Sequence, residues 1–368
     1  MSIDKIVDEL RKDVKSDSLS MSIGELQGLY EREELEIHPK FQRILRWEPY
    51  QKTKLIESIL LRIPIPPIFV AQDAEGGWDV VDGMQRLGTI FHFLGVLKGK
   101  DGKRKDPLQL VETNLLPSLD GLYFSPDYGE RSFPKPLRLD MLRSRLDINI
   151  ILRESDESAK YELFERLNTG GSIASAQEVR NCVLVWINES LYDWLVGLSD
   201  SPSFQNTVTL SSRQEEVAYR TELVLRFLAF YNIDVDEIKS MGDISEFLND
   251  VNRNIATDSD FDINHESDVF SDTFSLIDKA AGVDAFRKYF DDDQKHGGRF
   301  LISAFEAVSM GVAHNIITWR KKKNAVDELR SRIQNMWSNP NFVDHIGTGA
   351  ATKPRMQRTI PFGREFFS

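Results

Sequence analysis

With 368 residues, 41% of them hydrophobic and 28% charged, the chain is long enough to bury a sizeable core in two lobes and too mixed in composition for a disordered tail. A formal net charge of -12 argues against a protein that coats DNA over its whole surface, because Lys and Arg supply most non-specific affinity for phosphate. The lone Cys182 excludes an internal disulfide framework and a Cys-rich zinc site, and fits a reducing, cytoplasmic compartment.

Met1 to Val14 reads as a charged amphipathic helix rather than a signal peptide. No stretch approaches the roughly 18 to 20 uninterrupted apolar residues of a membrane helix. Ser22 to Tyr30 predicts a short helix, and Leu35-Glu36-Ile37 alternates like a strand. Pro49 to Leu61 places Leu55, Ile56, Ile59 and Leu60 on one helical face, with Pro49 suited to the first turn, until Pro64, Pro66 and Pro67 end the pattern. Ile68-Phe69-Val70 and Trp78 to Val81, separated by the polar turn Asp73 to Gly77, predict a β-hairpin. Asp82-Gly83 follows at once and leads into Leu87, Ile90, Phe91 and Leu94 at helical spacing. Gly99 to Asp106 is a charged loop and Pro117 to Pro136 is rich in turn formers, whereas Leu146, Ile148, Ile150 and Leu152 alternate as a strand.

Beyond Glu154 the pattern is helical: Ala159–Leu167, Ala176–Asn188, Arg213–Tyr231, Ile244–Asn254, Val269–Ala281, Phe300–Trp319 and Asn324–Trp337. Ser175 with Glu178 fits a capping box for the second of these. The fold class is therefore α+β, with a mixed α/β lobe over 1–154 and a mainly helical lobe over 155–368. From Arg320 to Ser368 ten basic residues face four acidic ones, so a +6 segment ends an acidic body. Such a basic tail suggests a polyanion or an acidic partner on that face, with Arg320, Lys321, Lys322 and Lys323 as the nucleic-acid-facing candidates. A solvated helix end beside a flexible terminus is the alternative.

The chemistry concentrates at Asp82-Gly83-Met84-Gln85-Arg86. A strand that ends in Asp-Gly and runs straight into a helix can hold an anion, because the first N–H groups of a helix have no partners within it. Gly83 lets a ligand approach the backbone, Gln85 can donate and accept, and Arg86 offers a planar fork to phosphate oxygens. Asp82 suits a Mg2+ ion, a water to be oriented, or Arg86 itself. On spacing alone this is a weak signal, since an Asp-Gly turn with a nearby Arg is common.

Four blocks in order strengthen it: Phe41-Gln42-Arg43-Ile44-Leu45-Arg46-Trp47, Lys54 to Leu60, Ile63 to Phe69, and Val81 to Leu87. A fifth comprises Phe164-Glu165-Arg166-Leu167-Asn168-Thr169-Gly170-Gly171 and Ser175 to Asn181. Together they resemble the N-terminal domain of GmrSD-type modification-dependent restriction enzymes, over roughly the first half of the chain. The resemblance implies a ParB/sulfiredoxin-like core followed by a helical lobe. It also implies binding and hydrolysis of a nucleoside triphosphate with Mg2+ through an Asp-Gly-Gln-Gln-Arg motif. Carried onto this sequence, Asp82, Gln85 and Arg86 are the catalytic candidates, with Asp82 on metal. Gln42, Arg43, Gly83, Arg86, Arg166, Asn168 and Thr169 are the nucleotide-binding candidates. Met84 stands where the family has its first Gln, which puts hydrolysis in more doubt than binding.

Ordinary roles compete at several of these positions. Arg43 can pair with Glu48 or Glu57, Arg166 with Glu162, and Arg180 and Asn181 can brace the helix that carries them. Gly347 to Pro354 lacks the Gly-Lys-Ser/Thr ending of a P-loop, and the six histidines are scattered, so neither a Walker-type site nor an autonomous nuclease is expected. The leading expectation is a stand-alone triphosphate-binding and hydrolysing module of a bacterial restriction or anti-phage system. It would act with a separate effector such as a nuclease, in the cytoplasm, with DNA contact and homo-oligomerisation left open. The alternative is a non-catalytic DNA-binding or protein-docking module of the same fold.

Overall fold

The computed structural model describes residues 15–37, 47–99, 101–155, 175–216, 218–344 and 352–368, without the side chains at 186, 213 and 216. The predicted helices Met1–Val14 and Ala159–Leu167, the blocks Phe41–Arg46 and Phe164–Gly171, and Gly347–Ala351 lie outside these residues. The chain divides into two units, Met1–Ala174 and Ser175–Ser368. It is a mixed α+β protein in which a five-stranded sheet and a short two-stranded one accompany a majority of helix.

The first unit contains β1 (Ser16–Ser22), α1 (Ile23–Glu31), β2 (Leu35–Glu36), α2 (Pro49–Leu60), β3 (Ile68–Gln72), β4 (Trp78–Asp82), α3 (Met84–Leu94), α4 (Lys135–Arg143) and β5 (Arg145–Ile151). The strands form one sheet in the order β1-β5-β3-β4-β2. The predicted hairpin forms as β3 and β4, antiparallel, with an irregularity between Phe69 and Val70. β5 lies parallel to β3 on one side and antiparallel to β1 on the other. β1 had no counterpart among the predicted elements. Its sequence, Ser-Asp-Ser-Leu-Ser-Met-Ser, carries little apolar alternation, and its strand state comes from pairing with β5. Helix α1 is entered through a full capping box, Ser22 with Glu25. Ile56, Ile68, Val80, Leu87, Phe91 and Ile148 are all buried between the sheet and its helices.

The register fixes which residues share an end of the sheet. Phe69 lies opposite Asp82, and Ile68 opposite Ile148, so the end of β4, the start of β3 and the middle of β5 are neighbours.

The second unit contains α5 (Ala176–Ile187), α6 (Glu189–Ser199), α7 (Pro202–Thr207), α8 (Ser212–Glu216), α9 (Tyr219–Phe230), α10 (Val235–Ser240), α11 (Ile244–Thr257) and α12 (Ile263–Ala281). A short hairpin follows, β6 (Lys288–Phe290) with β7 (Lys295–Gly297), then α13 (Ile302–His314), α14 (Ile316–Trp319), α15 (Ala325–Asn335), α16 (Pro340–Val343) and α17 (Thr352–Phe366). The capping box at Ser175 and Glu178 forms as predicted. The helix expected over Arg213–Tyr231 is two helices, because Ala218 adopts φ 56°. The core is aromatic: Phe204, Phe227, Phe270 and Phe274 pack with ring centroids 4.5 to 5.3 Å apart. α13 and α17 meet backbone to backbone, since a Cβ on Gly363 would collide with Ala307 and one on Gly311 with Gly363.

Candidate functional site

β4 delivers Asp82 to the edge of the sheet, and Gly83 turns the chain into α3. Gly83 is the N-cap of that helix at φ 96° and ψ 11°, and has no side chain to cap the first turn. A side chain there would be strained by the backbone, and its Cβ would collide with Ile68 Cδ1. Met84 is buried, and Leu87, Ile90 and Phe91 bury the inner face of α3, so packing holds the turn in place. Gln85 and Arg86 are partly buried on the first turn.

Arg86 does not extend into solvent. Its side chain is 12% exposed, and Nη2 bonds Asp82 Oδ2 at 2.6 Å, one helical turn back. Nη1 donates to the carbonyl oxygens of Pro66 and, at 3.0 Å, Pro67. Burial lowers the guanidinium pKa, and the Asp82 carboxylate opposes that shift. Of the three roles read for Asp82, the structure displays the bracing of Arg86. Arg86 in turn ties the proline segment to the start of α3 through the Pro66 and Pro67 carbonyls.

At the start of β5 a cleft of about 560 Å³ opens beside Pro64 and Ile65. Arg62, Arg143 and Arg145 line it with Asp140 and Asp147, over a wall that includes Ile59. None of the three arginines makes an ion pair among the described residues. They come from two segments some 80 residues apart, Arg62 in one and Arg143 with Arg145 in the other, so no sequence motif announced them.

Gln42, Arg43, Arg166, Asn168 and Thr169 lie outside the described residues. Arg180 has a bracing role: it is buried and donates to Gln177 Oε1 at 2.9 Å, Ser245 Oγ and Asn249 Oδ1 at 3.1 Å, and Glu222 Oε2 at 3.3 Å. Asn181 accepts from Gln177 at 2.8 Å. In the basic segment, Arg320 bonds Asp272 at 2.6 Å, and Lys322 meets Glu328 at 2.8 Å while lying over the Trp319 ring. Lys321 and Lys323 are exposed. The segment is no flexible tail where described, because Arg332 bonds the Phe366 carbonyl and Arg364 the Phe230 carbonyl.

Asp79, at the far end of β4, lies opposite Glu36 of β2. Burial, then Glu36 and Asp73, push its carboxyl up to about 6. A carboxyl whose folded pKa is raised adds its full share of stability below the unfolded value near 4, and that share is lost as pH rises through about 6. Asp79→Asn is accordingly expected to stabilise the protein by about 1–2 kcal/mol above pH 7, allowing for partial exposure, and to do nothing at pH 4. Thermal melts at the two pH values check this, and an equal shift at both would refute the electrostatic cause.

Residues 26–185 match the family model described as the GmrSD restriction endonuclease, N-terminal domain. The matched segment holds the Asp82 turn and all strands of the first unit but β1, and ends within α5. No curated protein and no solved structure matches the chain.

Proposed function

We propose, on the match of residues 26–185 to the GmrSD N-terminal domain model, that the Asp82–Arg86 turn binds the phosphates of a nucleoside triphosphate in a ParB/sulfiredoxin-like core. The observation that carries this reading is the start of α3, where the N-cap is a left-handed glycine that has no side chain of its own to cap the first turn. Arg86 stands on that turn, and the proline carbonyls and Asp82 hold it in place rather than leaving it free in solvent. Arg62, Arg143 and Arg145, which make no ion pair among the described residues, line a cleft beside Ile63–Ile65 with two carboxylates and leave it a positive excess that suits a polyanion.

Among the described residues no group of three or more His, Cys, Asp or Glu is placed to hold a metal. A Mg2+ ion fits this donor set as one that arrives with the triphosphate and takes Asp82 as its protein carboxylate, the remaining ligands being phosphate oxygens and water. Bound there, it would neutralise phosphate charge. Gln42, Arg43, Arg166, Asn168 and Thr169 complete the proposed nucleotide set. Hydrolysis would rest on Asp82, Gln85 and Arg86, since buried Met84 brings no hydrogen-bonding amide. In the same reading the module serves a restriction or anti-phage system through a separate effector protein such as a nuclease. A non-catalytic DNA-binding role draws less support, because much of the basic segment is bonded within the chain.

Calorimetry with each of four nucleoside triphosphates and Mg2+ tests the reading. At least one is expected to bind the wild type, and Arg86→Ala to weaken it by about 100-fold or more, as loss of a charge-assisted phosphate contact and of the turn's brace implies. Phosphate release on the same samples separates a hydrolase from a binder. Failure of every triphosphate to bind the wild type would sink the proposal.

A further inference from the structure

Two stretches of chain wall the cleft of about 560 Å³: residues 59–65 at the end of α2, and residues 137–147 from α4 into β5. Buried Ile59 and Leu146 give it an apolar lining. On the same two stretches Leu61, Ile63 and Leu139 are 42, 42 and 37% exposed, three of the ten large apolar side chains exposed among the described residues. Apolar side chains gathered at the surface inside a charged rim mark an interaction surface.

The rim is made of arginines that no carboxylate of the cleft has claimed. Arg143 stands three residues after Asp140 on α4, and Arg145 two residues before Asp147 on one face of β5, yet none of these pairs closes an ion pair. Arg62 is held at φ 55°. There α2 ends in a Schellman turn, in which the Arg62 N–H bonds the Ile59 carbonyl at 3.1 Å and the Ile63 N–H the Ser58 carbonyl at 2.9 Å. Glycine takes that left-handed position without strain and arginine does not, so the strained residue at the lip of the cleft points to a use for its side chain.

We propose that this cleft docks an acidic segment of a partner protein. Carboxylates on either side of an apolar residue would meet Arg62 on one wall and Arg143 with Arg145 on the other, while the apolar residue covers Ile63 and Leu139. Arginine is the side chain best suited to carboxylates at an interface. Asp140, Asp147 and the C-terminal ends of α2 and α4 temper the positive charge, which favours carboxylates spaced along a peptide over the concentrated charge of phosphates. No residue of the Asp82 turn takes part, so the docking site stands whether or not a triphosphate binds there.

The experiment is a fluorescence-anisotropy titration of the full chain with a labelled ten-residue peptide of alternating glutamate and leucine. Saturable binding to the wild type is expected. Arg62→Gly should weaken it about tenfold, as the loss of one charge-assisted contact implies, without lowering the melting temperature, because glycine relieves the backbone. Arg143→Gln with Arg145→Gln should weaken it about 100-fold. Arg104→Gln, which removes the same charge elsewhere on this unit, where Arg104 pairs with Glu31, should leave it unchanged. No saturable binding by the wild type would overturn the proposal, as would a loss in Arg104→Gln equal to that in Arg62→Gly, which would assign the signal to net charge. Displacement of the peptide by an equal concentration of a ten-nucleotide DNA strand, or of a nucleoside triphosphate, would give the cleft to nucleic acid or nucleotide and equally overturn it.

Discussion

Arg355→Ala is expected to destabilise the helical unit by about 3–5 kcal/mol at neutral pH, the range for removing one member of a buried ion pair. Glu306 is 0% exposed and accepts from Arg355 Nε at 3.0 Å and Nη2 at 2.8 Å, and from Thr359 Oγ1 at 2.8 Å. Without the guanidinium, the carboxylate keeps a single hydroxyl in a site closed to water. The cost is that of an orphaned charge, not of the attraction itself. The double variant Arg355→Met with Glu306→Leu is therefore expected to recover most of the loss, because it removes both charges at similar volume. Thermal unfolding of the three proteins checks this, with a fall in melting temperature of about 10 °C for the single variant. A double variant as unstable as Arg355→Ala would assign the effect to packing between α13 and α17 instead.

Gly83→Ala is the second large effect, about 2–3 kcal/mol, and it has two separable causes. A non-glycine residue at φ 96° is strained wherever it sits, and here its Cβ also meets Ile68 Cδ1. Ile68→Val removes that atom. In a double-mutant cycle the steric share should vanish in Gly83→Ala/Ile68→Val while the backbone share stays. A coupling energy of zero would show that Ile68 moves aside freely and that the whole cost lies in the backbone. Triphosphate affinity should fall in both glycine variants, since either distortion displaces the first turn of α3.

The parts of the fold that were legible are those whose apolar residues repeat at one period. The β3–β4 hairpin, β5 and α3 were all visible this way, and the Asp82 turn was found because a period of two switches to 3.6 across Gly83. β1 was not, since four serines and an aspartate in seven residues carry no pattern. The long helical runs were legible as helix but not as broken helix. Asn315 interrupts Phe300–Trp319, its Nδ2 bonding the Gly311 and Arg364 carbonyls at 3.0 and 2.8 Å. Charge counting failed at the C-terminal end for a similar reason. It scores Arg320 and Arg355 as a basic tail, whereas their partners Asp272 and Glu306 lie 48 and 49 residues earlier in the chain. In the site itself, residue types disclosed that Asp82 and Arg86 could meet. That Arg86 also gathers the Pro66 and Pro67 carbonyls depends on backbone groups, which a sequence pattern does not display.

The placement of β5 between β1 and β3 sets an order of assembly. Ser18 and Asn149, which face each other across the sheet, are 131 residues apart in the chain. As the polypeptide leaves the ribosome, β1 emerges early and has no neighbour until β5 arrives, so that pairing must close a long loop and comes late. A greasy strand waiting that long would recruit other nascent chains along its bare edge. The serines of β1 make it a poor template for such pairing, and the same polarity that hid the strand from prediction keeps it soluble until its partner is made.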